Sequence, residues 1–130
     1  MEDTLKDAWA DALTSGLYKQ SRAAMNRGGG FCCLGVLCEV AMELGYPVVK
    51  TEVEDMDDVF EYRLAGEPYG DMDALTTGLM ETFDISTDQQ NKFIGLNDGE
   101  VVVNPETNFY ESVAPVDFAG IAERLDEVLD

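Results

Sequence analysis

Between Asp11 and Glu39 the chain carries no acidic residue, although 27 of its 130 residues are Asp or Glu. The stretch Ala12–Cys38 reads ALTSGLYKQSRAAMNRGGGFCCLGVLC. It collects three of the eight basic residues (Lys19, Arg22, Arg27), all three cysteines, and the run Gly28-Gly29-Gly30. A gap of this length in so acidic a chain is not expected by chance. Whatever depends on particular residues is expected to start here.

The rest of the composition sets bounds. A chain of 130 residues, 45% of them apolar, is long enough for one domain with a real hydrophobic core. Its aromatic residues argue against a disordered acidic tail. No apolar run approaches the ~20 residues of a membrane span. Met1-Glu2-Asp3 lacks the basic region of a secretory signal. Three cysteines cannot all pair, so reduced thiols are expected. Together these features lead to the expectation of an intracellular protein that meets no membrane. A net charge of −19 would repel nucleic acid directly. Three readings of that charge stand side by side. One is a halophilic or acid-shifted proteome, which four lysines against 14 aspartates would fit. Another is a surface that imitates nucleic acid, and the third is plain solubility. The absence of histidine removes the commonest general acid–base group and excludes Ser-His-Asp and Cys-His mechanisms within the chain.

Periodicity predicts an α+β fold of about five helices and one or two β-hairpins, in a single domain over residues 1–130. The first helix is expected over Thr4–Ser15, capped by Thr4 with Asp7, with Leu5, Trp9 and Leu13 on its apolar face. A hairpin with a glycine turn is expected between Ala23 and Cys33. A helix over Leu34–Leu44 buries Leu34, Leu37, Cys38, Ala41 and Leu44, and ends at Gly45-Tyr46-Pro47. Val48–Leu64 reads as a second hairpin around the acidic turn Glu52, Glu54, Asp55, Asp57 and Asp58. Helices follow over Asp73–Phe83 and Ser86–Leu96, the latter with a Ser86/Gln89 capping box. Asn97-Asp98-Gly99 is expected to turn the chain, Val101–Val103 to form a short strand, and Asn104–Val116 to be an ordered loop. One amphipathic helix over Asp117–Leu129 closes the chain.

The string Trp9, Ala12-Leu13, Ser15-Gly16, Tyr18 and Gln20, followed by Phe31-Cys32-Cys33-Leu34-Gly35-Val36-Leu37-Cys38, resembles a widespread family of small, uncharacterised bacteriophage proteins. Leu96-Asn97-Asp98 and Phe118-Ala119-Gly120-Ile121-Ala122 extend the resemblance loosely into the last third. It implies a viral or prophage origin and an accessory gene expressed in a host cell. It transfers no catalytic residue.

Three features could carry chemistry. Cys32, Cys33 and Cys38 lack paired metal-ligand spacing and read as small packing residues, with metal binding or a reactive thiol as alternatives. The acidic turn lacks the glycine and terminal glutamate of a calcium loop and reads as solvated. Tyr18, Lys19, Gln20, Arg22, Asn26 and Arg27 could surround an anion, joined by amides of Gly28–Gly30; otherwise the three cations simply pair with nearby carboxylates. Neither Asp55 with Asp58 nor Asp71 with Asp73 has selective spacing for acid–base work. No catalytic residue, metal or cofactor is therefore expected. The leading expectation is an accessory protein in the host cytoplasm. Glu52, Glu54, Asp55, Asp57 and Asp58 would bind a host protein with a basic surface, as a nucleic-acid mimic in an anti-defence role. The alternative is a binder that sequesters an anionic nucleotide signal through residues 12–38. A dimer through a hairpin edge would be opposed by −19 per protomer at low salt.

Overall fold

A helix that is apolar all round over its first turns has to be surrounded there, and the helix Cys33–Glu43 is one, with only Glu39 and Glu43 breaking its apolar surface. In the computed structural model, which describes residues 1–130, this helix (α2) buries Cys33 through Cys38, Val40 and Ala41. Helix α1 (Asp3–Thr14) lies against it, presenting Leu5, Trp9 and Leu13 at fourfold spacing. Trp9 donates its indole Nε1–H to the Cys33 carbonyl at 2.9 Å and meets the Phe93 ring edge-on at 4.9 Å. Phe93 belongs to α4 (Thr87–Asp98); α3 (Thr77–Phe83) contributes Leu79 and Phe83. Helices α5 (Phe118–Glu123) and α6 (Leu125–Leu129) close the core with Phe118, Ile121 and Leu125. One contiguous cluster of 22 buried residues results, so the helices share a single core.

Three small sheets decorate this core and make the architecture α+β. Strands β2 (Asn26–Arg27) and β3 (Gly30–Phe31) form the expected glycine hairpin. Gly28 and Gly29, at φ +58° and +81°, supply the two left-handed residues such a tight turn needs. A two-residue strand, β1 (Lys19–Gln20), joins β3 in parallel. Strands β4 (Val48–Glu52) and β5 (Phe60–Leu64) pair from Val48↔Leu64 to Glu52↔Phe60 and hold up the acidic turn.

Five boundaries differ from expectation. Helix α1 starts at Asp3, so Thr4 lies inside it and makes no capping box; Glu2 and Asp3 supply negative charge where the helix dipole favours it. Asp71 Oδ1 takes the amides of Asp73 (2.8 Å) and Ala74 (3.3 Å), which withholds them from a helix until Thr76 caps α3 through Leu79 N. The Ser86/Gln89 box does form, but α4 continues past Leu96 and takes Asn97 and Asp98 into its last turn. Residues 104–116 are not a loop throughout: β7 (Tyr110–Val113) pairs with β6 (Glu100–Val103). The closing helix breaks at Arg124 (φ −102°, ψ 2°), keeping Ile121 and Leu125 both buried. Leu44, expected inside, is 44% exposed: as the C-cap of α2 it lines an open groove beside α1.

The glycine within the Cys-rich string has a steric reason. A Cβ on Gly35 would overlap the Met25 carbonyl oxygen, a backbone atom and not the far end of a flexible side chain. Helix propensity alone favours Ala over Gly by about 1 kcal/mol. The overlap is expected to reverse that sign, so Gly35→Ala should destabilise the protein by about 3 kcal/mol in urea unfolding. Unchanged or increased stability would mean that the backbone around Met25 is free to move.

Candidate functional site

The residues that give the sequence its motif point inward. Cys33 and Cys38 are fully buried and Cys32 nearly so. Burial pushes the Cys32 thiol up to about 11 and holds Cys33 and Cys38 well above the ordinary thiol value. The Cys33 thiol leans on the Phe93 carbonyl at 3.6 Å. These are packed, protonated thiols rather than nucleophiles. No three Cys, Asp or Glu side chains gather at metal-ligand spacing.

The polar motif residues meet each other. Asn97 is completely buried at the end of α4, and all four of its hydrogen-bonding positions are used. Its Oδ1 accepts from Gln20 Nε2 (3.1 Å) and from the amide of Cys33 (3.2 Å). Its Nδ2 donates to the Ser21 carbonyl (2.9 Å) and to Asp98 Oδ1 (2.8 Å). Asp98 also takes the Ala23 amide at 3.1 Å. Gln20 reaches further: Nε2 donates to the Val116 carbonyl (2.8 Å), and Oε1 accepts the Phe118 amide (3.0 Å) at the first turn of α5. Asn97 thus serves the first amide of α2, whose own N-cap residue Cys32 makes no side-chain bond. The Ser21 hydroxyl, wedged on Gly30, is buried without a partner.

Of the six island residues, two are therefore turned into the protein. Gln20 belongs to this network, and Asn26 donates Nδ2 to the Tyr62 hydroxyl at 3.0 Å. Tyr62 in turn donates to Glu39 Oε2 (2.9 Å), which Lys50 meets at 3.2 Å. Burial holds the Tyr62 phenol far above its usual range. Tyr18 is half-buried, its ring edge-on to Phe31 at 5.1 Å. Lys19, Arg22 and Arg27 are exposed, and none forms an ion pair. The hairpin that carries Arg27 is nevertheless held by its backbone. The Gly28 amide donates to the Asp58 carbonyl at 2.7 Å, and Arg27 bridges Val59. The glycine hairpin is thus docked on the acidic turn, and the Gly28 amide is already engaged.

All five carboxylates of that turn (Glu52, Glu54, Asp55, Asp57 and Asp58) are exposed, and none has a cationic partner. The turn is nonetheless ordered: Val53 donates to Val59 at 2.8 Å, and Asp55 and Asp58 sit at positive φ. The cavities lie elsewhere. A cleft of about 520 Å³ runs along Met80, Asp84 and Gln89, and a groove of about 330 Å³ between α1 and α2 is lined by Ala12, Leu17, Tyr18 and Leu44 with Asp11 and Glu43. No cavity is lined by Lys19, Arg22 or Arg27. The sequence reading missed the Gln20–Asn97 partnership; the signal available was that both lie in the motif strings of the resemblance.

The thiols give a pH test. A group whose pKa is higher in the folded state stabilises fully below its unfolded value, and that contribution disappears as pH rises toward the folded value. Stability should hold up to about pH 8 and then fall, by up to about 1.4 kcal/mol per pH unit for each thiol that ionises only on unfolding. Urea midpoints between about pH 7 and pH 10.5 would measure this. Rapid labelling of any thiol by a disulfide reagent at pH 8 in the folded protein would contradict the burial argument.

Residues 1–128 match the family described as Domain of unknown function (DUF8296). No curated protein and no solved structure matches the chain.

Proposed function

We propose that this chain, which belongs to the DUF8296 family, acts by binding another protein, with the acidic turn as its contact. The observation that carries the reading is the state of Glu52, Glu54, Asp55, Asp57 and Asp58: five exposed carboxylates, uncompensated by any ion pair, on one ordered turn. A fixed array of negative charge suits a groove lined with Lys and Arg, as a run of phosphates does. The partner is a nucleic-acid-handling protein with a basic surface. The resemblance of the motif strings to bacteriophage proteins supports an accessory role in the cytoplasm of an infected host, where occupying such a groove would interfere with defence.

A second reading draws support from one observation. Lys19, Arg22 and Arg27 are exposed cations without carboxylate partners in a chain of net charge −19. An anionic nucleotide would satisfy them. The engaged Gly28 amide and the absence of a cavity beside them favour the first reading. Alanine at all three positions would abolish nucleotide binding if the second reading holds.

Capture from a bacterial host lysate tests the first. A basic protein should be retained at about 0.1 M salt and released at about 1 M, where the Debye length falls from about 10 Å to about 3 Å. The variant E52Q/E54Q/D55N/D57N/D58N should lose at least about tenfold in affinity for that protein. Asn tolerates the left-handed backbone at positions 55 and 58 as Asp does, so the turn is kept. Retention that is indifferent to both salt and neutralisation would overturn the proposal.

A further inference from the structure

The β6–β7 ribbon is built unlike the rest of the molecule. All eight of its strand residues are exposed, among them Val101 (65%), Val103 (51%) and Tyr110 (80%). A two-stranded ribbon alone in water is marginal; a third strand or a packed face is what normally sustains it. The register locates what is free. Asn104 donates its amide to the Phe109 carbonyl, so the hydrogen-bonded pairs along the ribbon are 104/109, 102/111 and 100/113. The peptide groups of Val101 and Val103 therefore point outward along the β6 edge, and those of Tyr110 and Ser112 along the β7 edge.

The two edges differ in charge. Around Val102 the β6 edge has only valines, with no lysine, proline or bulge of the kind that blunts edges in soluble proteins. The β7 edge has Glu111 at the corresponding place. We infer that β6 is a pairing edge for a second copy of this chain, joined antiparallel about a two-fold axis at Val102.

That register sets no carboxylate directly opposite another, and Glu100 meets the copy's Glu111 only diagonally, across Asn104. Val101 faces Val103 of the copy, with both exchanging backbone hydrogen bonds, and Val102 faces Val102. Glu100 faces Asn104 of the copy on the same side of the sheet. Asn104 gives one amide hydrogen to Glu111 at 2.8 Å, leaving its other hydrogen for that carboxylate. No carboxylate stands opposite a carboxylate. The equivalent pairing of two β7 edges about Glu111 would set two carboxylates against each other, which is destabilising. The result is a four-stranded sheet that gives each ribbon the neighbour it lacks. The general repulsion of two chains of net charge −19 remains and is screened by salt. Self-association should therefore strengthen with salt, whereas binding of the acidic turn to a basic partner weakens with it. The two proposals can fail separately.

Sedimentation of the whole chain and disulfide trapping test the pairing together. The dimer fraction should rise by at least about threefold between about 0.1 M and about 1 M salt. Val101→Pro removes an outward amide while sparing the bonds to β7, and should abolish the dimer. The natural thiols are buried, so Val102→Cys adds the one exposed thiol. Directly opposite Cβ atoms approach to about 4.5–5.5 Å, so this variant should crosslink under mild oxidation at least about tenfold faster than Ser112→Cys. A monomer at all salt concentrations would overturn the inference. So would faster crosslinking through Ser112→Cys, which would indicate face-to-face packing or β7 pairing.

Discussion

The buried amide of Asn97 joins the end of α4, the start of α2 and the acid-free island at one point. With no exposure to water, it satisfies the first amide of α2, a carbonyl of the acid-free island, the side chain of Gln20 and its own neighbour Asp98. A buried polar group is tolerable only when fully paired, and then it specifies its surroundings more sharply than an apolar side chain could. Through Gln20 the same network reaches Val116 and the first turn of α5. Two helix starts and the return of the chain from the ribbon thus meet in one connected network of side chains.

The molecule separates its motif from its charge. Trp9, the cysteines and Gly35 pack α1, α4 and the Met25 backbone around α2. They make a scaffold, and the raised thiols are a consequence of that packing. Charge sits outside, and the island still positions it: the glycine hairpin grips the acidic turn through Gly28 and the Arg27–Val59 bridge. The acid-free stretch is thus bound on one side to the core and on the other to the surface proposed for binding.

Helices with strong apolar spacing were legible from sequence. Leu5, Trp9 and Leu13 mark α1, and Ser86 with Gln89 marks the start of α4, because these signals are local. Elements decided by distant partners were not. Asn97-Asp98-Gly99 reads as a turn, yet tertiary hydrogen bonds carry α4 through Asp98. Tyr110–Val113 has no strand period that separates it from a loop until β6 lies beside it. The same holds for the candidate site. Exposure of the acidic turn followed from its composition, whereas the inward turn of Gln20 and Asn26 depends on Asn97 and Tyr62, far away in sequence.

The measurement that bears most directly on this account is the unfolding free energy of Asn97→Ala in urea. Four hydrogen bonds end on that side chain, and removing it leaves buried partners unpaired at about 1–3 kcal/mol each before relaxation. A loss of about 3–5 kcal/mol is predicted, a large part of the total stability of a domain this size. A loss below about 1 kcal/mol would contradict the account, because the start of α2 and the island would then not depend on Asn97.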